Sequence, residues 1–271
     1  MTTVTTATPA PQAGVGALLR SWREKRRLSQ LELSTRVRVS TRHLSYVENG
    51  RSRPSSELIM RLAEHLELPL RERNEVLLAG GFAPAYAHQP LDAPALALVA
   101  DALRMVLDRH LPYPAVVLNR WWEMVDANTA LDALLDDVAP HLLEPPVNVL
   151  RLTLHPDGLA PRIVNLGQWR AHLMAQLDRR AELTDDARLR TLHSELSSYP
   201  GGADDPMPSP HQVVLPMVLR AGGHVLSMFT ISAALGTPAD VTVDELVVES
   251  FYPADDTTQR LLRAAHPEPS A

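Results

Sequence analysis

The sequence contains no cysteine, only three phenylalanines, a single lysine (Lys25) and no run of about 18 apolar residues. The absence of cysteine excludes disulfides, thiolate metal ligands and cysteine nucleophiles, and it fits a cytoplasmic protein. The absence of a long apolar run predicts that no helix spans a membrane. Residues 1–14 are rich in Thr, Ala and Pro and lack the basic start and apolar stretch of a signal peptide, so we expect a disordered tail there.

Length and charge favour two domains with different partners. A chain of 271 residues, of which 45% are hydrophobic, is long enough for two domains of ordinary size. Residues 1–80 carry 13 basic against 8 acidic side chains, whereas residues 81–271 carry 13 against 24. We expect the basic part to meet a polyanion and the acidic part to have a different task.

Residues 15–80 have the pattern of five short helices, which start near positions 15, 29, 40, 54 and 71. Ser29 and Glu32 have the spacing of a capping box, and Ser40 is the expected N-cap of the third helix. Gly50 follows that helix as its left-handed stop. Because the second and third helices are joined by a short turn at Arg38 on a basic scaffold, the pattern predicts a helix-turn-helix.

The segment 28–53, LSQLELSTRVRVSTRHLSYVENGRSR, resembles the DNA-binding domains of the Xre/phage-repressor family. The shared spacing is SQ-x-x-L followed by S-x-x-x-L-S-x-x-E-N-G-R-x-x-P-S, and the resemblance covers about residues 15–80. It implies an all-α domain that binds double-stranded DNA through its third helix. The family often has glycine where this chain has Arg38, and a non-glycine residue in a left-handed turn costs about 1 kcal/mol.

The third helix supplies the expected base contacts. Arg42 is the first candidate, because a guanidinium can hold O6 and N7 of guanine with two hydrogen bonds. Thr41 could reach a base edge or a thymine methyl group, and Tyr46, one turn beyond Arg42, a base or a phosphate. The residues expected to point outward towards the bases are Thr41, Arg42, Ser45 and Tyr46.

Phosphate contacts are expected on either side of the base readers, where they fix the register of the protein on DNA. Arg51 and Arg53 follow the third helix, and His43 is placed beside the DNA backbone. The family resemblance implies that Gln30 contacts a phosphate at the start of the second helix, where backbone amides also donate. The resemblance also implies that Arg23 and Glu48 form a pair that braces the first helix against the third.

Beyond a proline-rich linker at 81–94, the pattern becomes a mixture of helices and strands. The expected strands lie at 115–118, 122–125, 212–220, 224–231 and 247–251. The expected helices lie at 95–110, 128–135, 166–181, 185–198 and 256–264. Gly222–Gly223 gives the turn of a β-hairpin, and Pro216 favours an edge position or a bulge for the first strand of that hairpin. Thr184 is the expected cap of the helix at 185–198.

Residues 96–265 resemble the ligand-binding domain of MmyB-like transcription regulators. The stretches that carry the resemblance are PAVVLNRWWEMVDAN (114–128), VNVLRLTLHPDGLAPRIVNLGQW (147–169) and GTPADVTVDELVVESFYPAD (236–255). That family is similar to PAS domains, so the resemblance implies an α+β domain with helices over one face of a small antiparallel sheet and an apolar cavity. It implies a lipophilic effector, such as a fatty acid or an acyl derivative. We expect no cofactor.

The few large apolar side chains of this part are the candidates for the cavity wall, although each also fits an ordinary core position. They are Trp121, Trp122, Trp169, Met174, Met228, Phe229 and Phe251. A ligand carboxylate would need a cation near the mouth. The candidates for that cation are Arg151, Arg162 and Arg170.

Metal and enzyme chemistry have little support in the residues. His155 and Asp157 could ligate a metal, but two ligands do not make a site, and Pro-Asp-Gly at this point is typical of a turn. The sequence contains no P-loop, nucleophile elbow or G-x-G-x-x-G motif. We therefore expect neither a metal nor a catalytic centre.

The sequence thus predicts a one-component transcription regulator, in which a sequence-specific DNA-binding domain is fused to a sensor of a small molecule. One helix-turn-helix reads a short half-site, so we expect a homodimer on a near-palindromic operator. The alternative is a regulator whose acidic second domain binds another protein instead of a small molecule.

Overall fold

The structure is a computed structural model that describes residues 14–201 and 214–265. It divides into two units, of which the first extends to His88 and includes Ala239–Val241. The second consists of Gln89–Pro238 and the residues from Thr242 onwards. The predicted tail, apart from Gly14, and the first two residues of the predicted strand at 212–220 lie outside the described residues.

Five short helices form the first unit, and its all-α prediction is confirmed. They are α1 (Val15–Lys25), α2 (Gln30–Arg36), α3 (Thr41–Glu48), α4 (Ser56–His65) and α5 (Leu70–Ala79). Ser29 and Glu32 form the reciprocal hydrogen bonds of a capping box at α2, and the Ser40 hydroxyl accepts a bond from the His43 amide at the start of α3. Arg38 joins α2 and α3 with φ of 55°, in the left-handed region.

The helices of the first unit enclose a core of branched apolar side chains. Fully buried members include Leu19, Leu33, Ile59, Leu62 and Leu66. Burial of each side chain stabilises the unit by about 1.5–3 kcal/mol relative to exposure. Helices α1 and α3 approach closely at Gly16, where an added Cβ would lie 2.2 Å from the carbonyl oxygen of Val47. Glycine at this position therefore lets α1 pack directly on α3.

The part of the chain after α5 alternates between helices and strands. The helices are α6 (Ala97–Arg109), α7 (Val149–Leu154), α8 (Leu166–Thr184), α9 (Ala187–Ser197), α10 (Val241–Asp244) and α11 (Asp256–Ala265). The strands are β1 (Ala115–Leu118), β2 (Met124–Ala127), β3 (Met217–Ala221), β4 (His224–Ala234) and β5 (Val247–Pro253). The predicted α+β class is confirmed.

The five strands form one antiparallel sheet in the order β2-β1-β5-β4-β3. Gly222 and Gly223 connect β3 to β4 with φ of 56° and 77°, the sign that a tight hairpin turn requires. Strand β3 is an edge strand and begins directly after Pro216. Because proline lacks an N–H, its place outside the ladder leaves the β3–β4 hydrogen bonds intact.

Strands β1 and β5 are covered on both faces. Val116 of β1 belongs to the main core with α8 and α9, whereas its neighbour Val117 packs with Leu103 and Leu107 of α6. Successive strand residues point to opposite faces, so two helical layers meet the same strands. The family resemblance implied helices over one face, and α6 adds a helical layer on the other face.

Several predicted elements of this part have different bounds, among them the strand predicted at 212–220, which begins at Met217, and two short helices, α7 and α10, were not predicted. Helix α7 has only six residues and was missed, and the helix predicted at 128–135 is a single 3₁₀ turn at Asp132–Leu134. Thr184 ends α8, whereas Asp186 is the residue that caps α9. Strand β2 begins at Met124 because Trp122, with φ of 58°, lies in the turn before it.

Candidate functional sites

Helix α3 carries the predicted base readers on its accessible side. Arg42 is exposed, and Thr41, Ser45 and Tyr46 are half-buried. The Nε of Arg42 donates to the hydroxyl of Tyr46 at 2.9 Å, and its guanidinium carbon lies 5.2 Å from the centre of the tyrosine ring. This contact uses only Nε, so the two terminal nitrogens of Arg42 remain available to a base.

Two of the other predicted base readers are already hydrogen-bonded within the unit. The Thr41 hydroxyl lies 3.0 Å from the hydroxyl of Ser34, a buried residue of α2. The Ser45 hydroxyl accepts a bond from the Asn49 amide at 3.3 Å. Either hydroxyl would have to share or exchange these bonds to contact a base.

Arg23 and Glu48 form a buried, two-pronged ion pair between α1 and α3. The Nε of Arg23 donates to Oε1 of Glu48 at 2.7 Å, and a terminal nitrogen donates to Oε2 at 2.9 Å. The hydrogen bonds that Arg23 donates to Glu48 raise the pKa of the Arg23 guanidinium. The Gln30 amide nitrogen also donates to Oε2, at 2.7 Å. Glu48 therefore joins α1, α2 and α3, and a phosphate contact by Gln30 has to use its second amide N–H.

The remaining predicted phosphate contacts lie beside the end of α3 or on its side. Arg51 and Arg53 are exposed, and His43 is half-buried. The backbone N–H of Arg51 donates to the carbonyl oxygen of Tyr46 at 2.8 Å, which fixes the loop that carries both arginines.

The second unit contains an apolar cavity between the sheet and helices α7 and α8. Its empty space, the open mouth included, is about 630 Å³. The wall includes three of the predicted residues, Trp122, Trp169 and Phe251. Glu249 of β5 is the single ionisable side chain among the residues that line it.

The cavity lies within a recognised type of domain. Residues 99–265, more than half of the chain, match the family model of the MmyB-like transcription regulator ligand binding domain. The chain belongs to this MmyB-like family. Residues 15–76 match a helix-turn-helix domain, so this MmyB-like protein has the predicted two-domain architecture of a transcription regulator with a ligand-binding domain. Both matches are to DNA-binding or ligand-binding domains and neither is to an enzyme family.

Other comparisons add little to the family match. No curated protein matches the chain. A solved structure of an RNA-binding light-oxygen-voltage receptor is 13% identical to it with a TM-score of 0.27, and the match covers 93% of this chain and 60% of that one. Within residues 14–201 and 214–265, no helix combines the length and apolar character needed to cross a bilayer.

Several predicted pocket residues lie elsewhere in the MmyB-like domain. Those that do not line the cavity are Trp121, Met174, Met228 and Phe229. The indole nitrogen of Trp121 donates to Asp186 at 2.8 Å, and Phe229 stacks on Tyr252 with ring centres 5.7 Å apart. Met228 is fully buried and Met174 is partly buried, both in the main core.

The arginines predicted at the cavity mouth hold loops and helices together instead. Arg151 forms two 2.7 Å hydrogen bonds to Glu195 of α9. Arg170 donates to three consecutive carbonyl oxygens at Tyr199, Pro200 and Gly201. The contacts of Arg162 are with the carbonyl oxygens of Leu134 and Asp136. None of the three lines the cavity.

A second, polar cavity adjoins the apolar one, and Trp122 and Glu249 line both. It has about 550 Å³ of empty space, its mouth included, and its polar lining is Gln176, Arg180, Ser232 and Glu249. The guanidinium carbon of Arg180 lies 4.2 Å from the centre of the Trp122 ring. Arg180 is thus a cation beside the apolar cavity, at a position that was not among the predicted arginines.

The sequence does hold a signal for both missed residues. Arg180 continues the inward side of α8, seven residues after Leu173 and eleven after Trp169, both of which line the apolar cavity. Glu249 lies in the middle of the apolar run of β5. A charged residue on an otherwise apolar face is unusual, because burying its charge is costly.

His155 and Asp157 are joined by a third residue, His141. One candidate ligand atom from each of the three lies within 4.8 Å of the others. The Nδ1 of His155 accepts a 3.0 Å hydrogen bond from the backbone N–H of Asp157, so its lone pair is already used in the turn. The turn accounts for the contact of His155 with Asp157 but not for the approach of His141, and the expectation of no metal stays a prediction.

Proposed function

We propose that this MmyB-like protein is a one-component transcription regulator that reads a DNA sequence and responds to a lipophilic small molecule, such as a fatty acid or an acyl derivative, without catalysing a reaction. The observation that carries the proposal is the apolar cavity of the ligand-binding domain, which has one ionisable side chain in its wall. A wall of this kind favours an apolar ligand body, because each buried CH₂ group contributes about 0.8 kcal/mol.

The DNA-binding half would use α3 in the major groove. Arg42, oriented by Tyr46, is the proposed reader of guanine, with Thr41 and Ser45 as further base contacts. Gln30, His43, Arg51 and Arg53 are the proposed phosphate contacts. A homodimer would place two α3 helices about 34–36 Å apart, one helical turn of a near-palindromic operator.

The strands shared by two helical layers suggest how a ligand could act. Val116 lines the apolar cavity, and the adjacent Val117 packs under α6 on the opposite face. A ligand that displaced β1 would therefore also displace the packing of α6. A coupling free energy of about 1–3 kcal/mol between the cavity and DNA binding would change operator occupancy usefully.

The test uses the full chain. Native mass spectrometry of the purified protein, followed by denaturing extraction, would identify a bound lipid and the oligomeric state, and operator titrations would then be made with and without that lipid. We expect a dimer that retains a lipid or binds an added one, with a change of about 5–150-fold in operator affinity.

Two results would contradict the proposal. One is a ligand that binds and leaves operator affinity and half-site spacing unchanged. The other is a stoichiometric protein partner on a domain that takes up no lipid, which would establish the protein-interaction alternative.

A further inference from the structure

The polar cavity contains two opposite charges that do not pair. Arg180 on α8 and Glu249 on β5 both line it, and neither forms an ion pair with any residue that the structure describes. Within the same residues, the one hydrogen bond of Arg180 goes to the carbonyl oxygen of Arg120 at 3.3 Å, and the Glu249 carboxylate accepts none. Charges in such surroundings are normally paired or hydrogen-bonded, because their desolvation is costly.

Burial acts against the charge of both groups. It raises the pKa of the Glu249 carboxyl, and the nearby Arg180 lowers that pKa in part. Burial also lowers the pKa of the Arg180 guanidinium, which Glu249 opposes. Each group therefore feels the other across the cavity and still lacks a direct partner.

Contact with Trp122 positions the Arg180 guanidinium. Within the described residues its one hydrogen bond goes to the Arg120 carbonyl oxygen, so its other N–H groups can donate to a ligand. Trp122 and Glu249 also border the apolar cavity, so a head group held at Arg180 and Glu249 could continue into an apolar chain on the other side of Trp122.

We propose that the polar cavity is the head-group site of the sensor and that it selects a neutral acyl amide over the free acid. The amide carbonyl would accept from Arg180 and the amide N–H would donate to Glu249, so that one ligand group satisfies both charges. A carboxylate would pair with Arg180 but would meet Glu249 as a like charge. The inference rests on the proposed function, because the acyl chain is placed in the apolar cavity.

Isothermal titration calorimetry of the full chain at pH 8 tests this with three probes of equal chain length: octanamide, octanoate and octanol. The variants are Glu249→Gln, which removes the negative charge and keeps an amide acceptor, and Arg180→Met. Arg179→Met, an exposed neighbour on α8, is the matched control. Circular dichroism of each variant checks the fold.

The wild type should bind octanamide at least tenfold more tightly than octanoate. Glu249→Gln should abolish this preference by raising the affinity for octanoate. Arg180→Met should weaken the binding of octanamide at least fivefold. Arg179→Met should leave the affinities for all three probes unchanged. Equal or tighter binding of octanoate by the wild type would overturn the inference and leave the proposed function standing. So would a preference that Glu249→Gln leaves unchanged. Failure of the wild type to bind any of the probes, octanol included, would overturn both.

Discussion

The Arg42 guanidinium and the Tyr46 phenol act as one unit on α3, joined by a 2.9 Å hydrogen bond and by contact of the guanidinium with the ring. The two residues are one helical turn apart, so the helix itself sets their spacing. Free arginine loses considerable rotamer freedom when it binds. A partner that already restrains Arg42 reduces this loss, which makes Tyr46 a positioning residue as well as a proposed DNA contact.

Arg42→Ala should cost about 1–3 kcal/mol of operator binding and relax the preference at one base pair. Tyr46→Phe removes the hydrogen bond to Arg42 and keeps the ring. It should therefore cost less operator-binding free energy, about 0.5–1.5 kcal/mol. An operator selected in vitro and its single-base-pair variants give the measurement. Unchanged preference in Arg42→Ala at every position would mean that α3 does not read bases through this residue.

Arg51→Ala should weaken the binding of all DNA sequences alike and reduce the slope of log affinity against log salt concentration by about 1. The reason is that a phosphate contact releases counterions but carries no sequence information. Titrations of operator and random DNA over a range of salt concentrations measure both effects. Arg109→Ala on α6 removes the same charge from the ligand-binding domain, and it should leave the slope as it is.

Glu48→Ala should destabilise the DNA-binding domain by about 3–5 kcal/mol, because it leaves the buried Arg23 guanidinium without its partner. Chemical denaturation followed by circular dichroism measures the free energy of unfolding. Glu64→Ala removes an exposed carboxylate of α4 as a control, and little change is expected there. Similar small losses for both variants would show that the buried pair does not hold α1 on α3.

The ion pair of Arg151 and Glu195 should contribute a pH-dependent part of stability. Hydrogen bonds from Arg151 and Tyr199 lower the pKa of Glu195, and burial together with Glu195 raises the pKa of Tyr199 to about 12. A carboxyl whose pKa is lower in the folded state stabilises the fold above its unfolded value, about 4.3, and loses that effect as the pH falls through the folded-state pKa.

Glu195→Gln should therefore show a flatter fall in the free energy of unfolding below about pH 4.3 than the wild type. Denaturant titrations between neutral and acidic pH give the comparison, and Glu182→Gln, an exposed position on α8, serves as its control. An unchanged acid profile in Glu195→Gln would mean that the pair is not maintained in solution.

Local signals allowed the helices of the DNA-binding domain to be predicted, because a cap such as Ser29 with Glu32 acts within one turn. The cavity was harder to predict because its residues come together from distant parts of the chain. Arg151 and Arg170 carry the positive charge that a ligand carboxylate would need. In the structure, however, Arg151 pairs with Glu195 and Arg170 donates to backbone carbonyl oxygens. The position of Arg180 on the inward side of α8 can be read from the sequence, but its approach to Glu249 of β5 is apparent only once the helix and the strand are placed together.

The position of Trp122 gives the protein a built-in optical probe. Its indole borders both cavities, stacks under the charged Arg180 and is 4% exposed. Indole emission responds to nearby charge and to exclusion of water, so occupancy of either cavity would change its intensity and wavelength. Trp169 also lines the apolar cavity, so the emission of both indoles would respond to a ligand there. Ligand uptake could thus be followed in the full chain without attaching a dye.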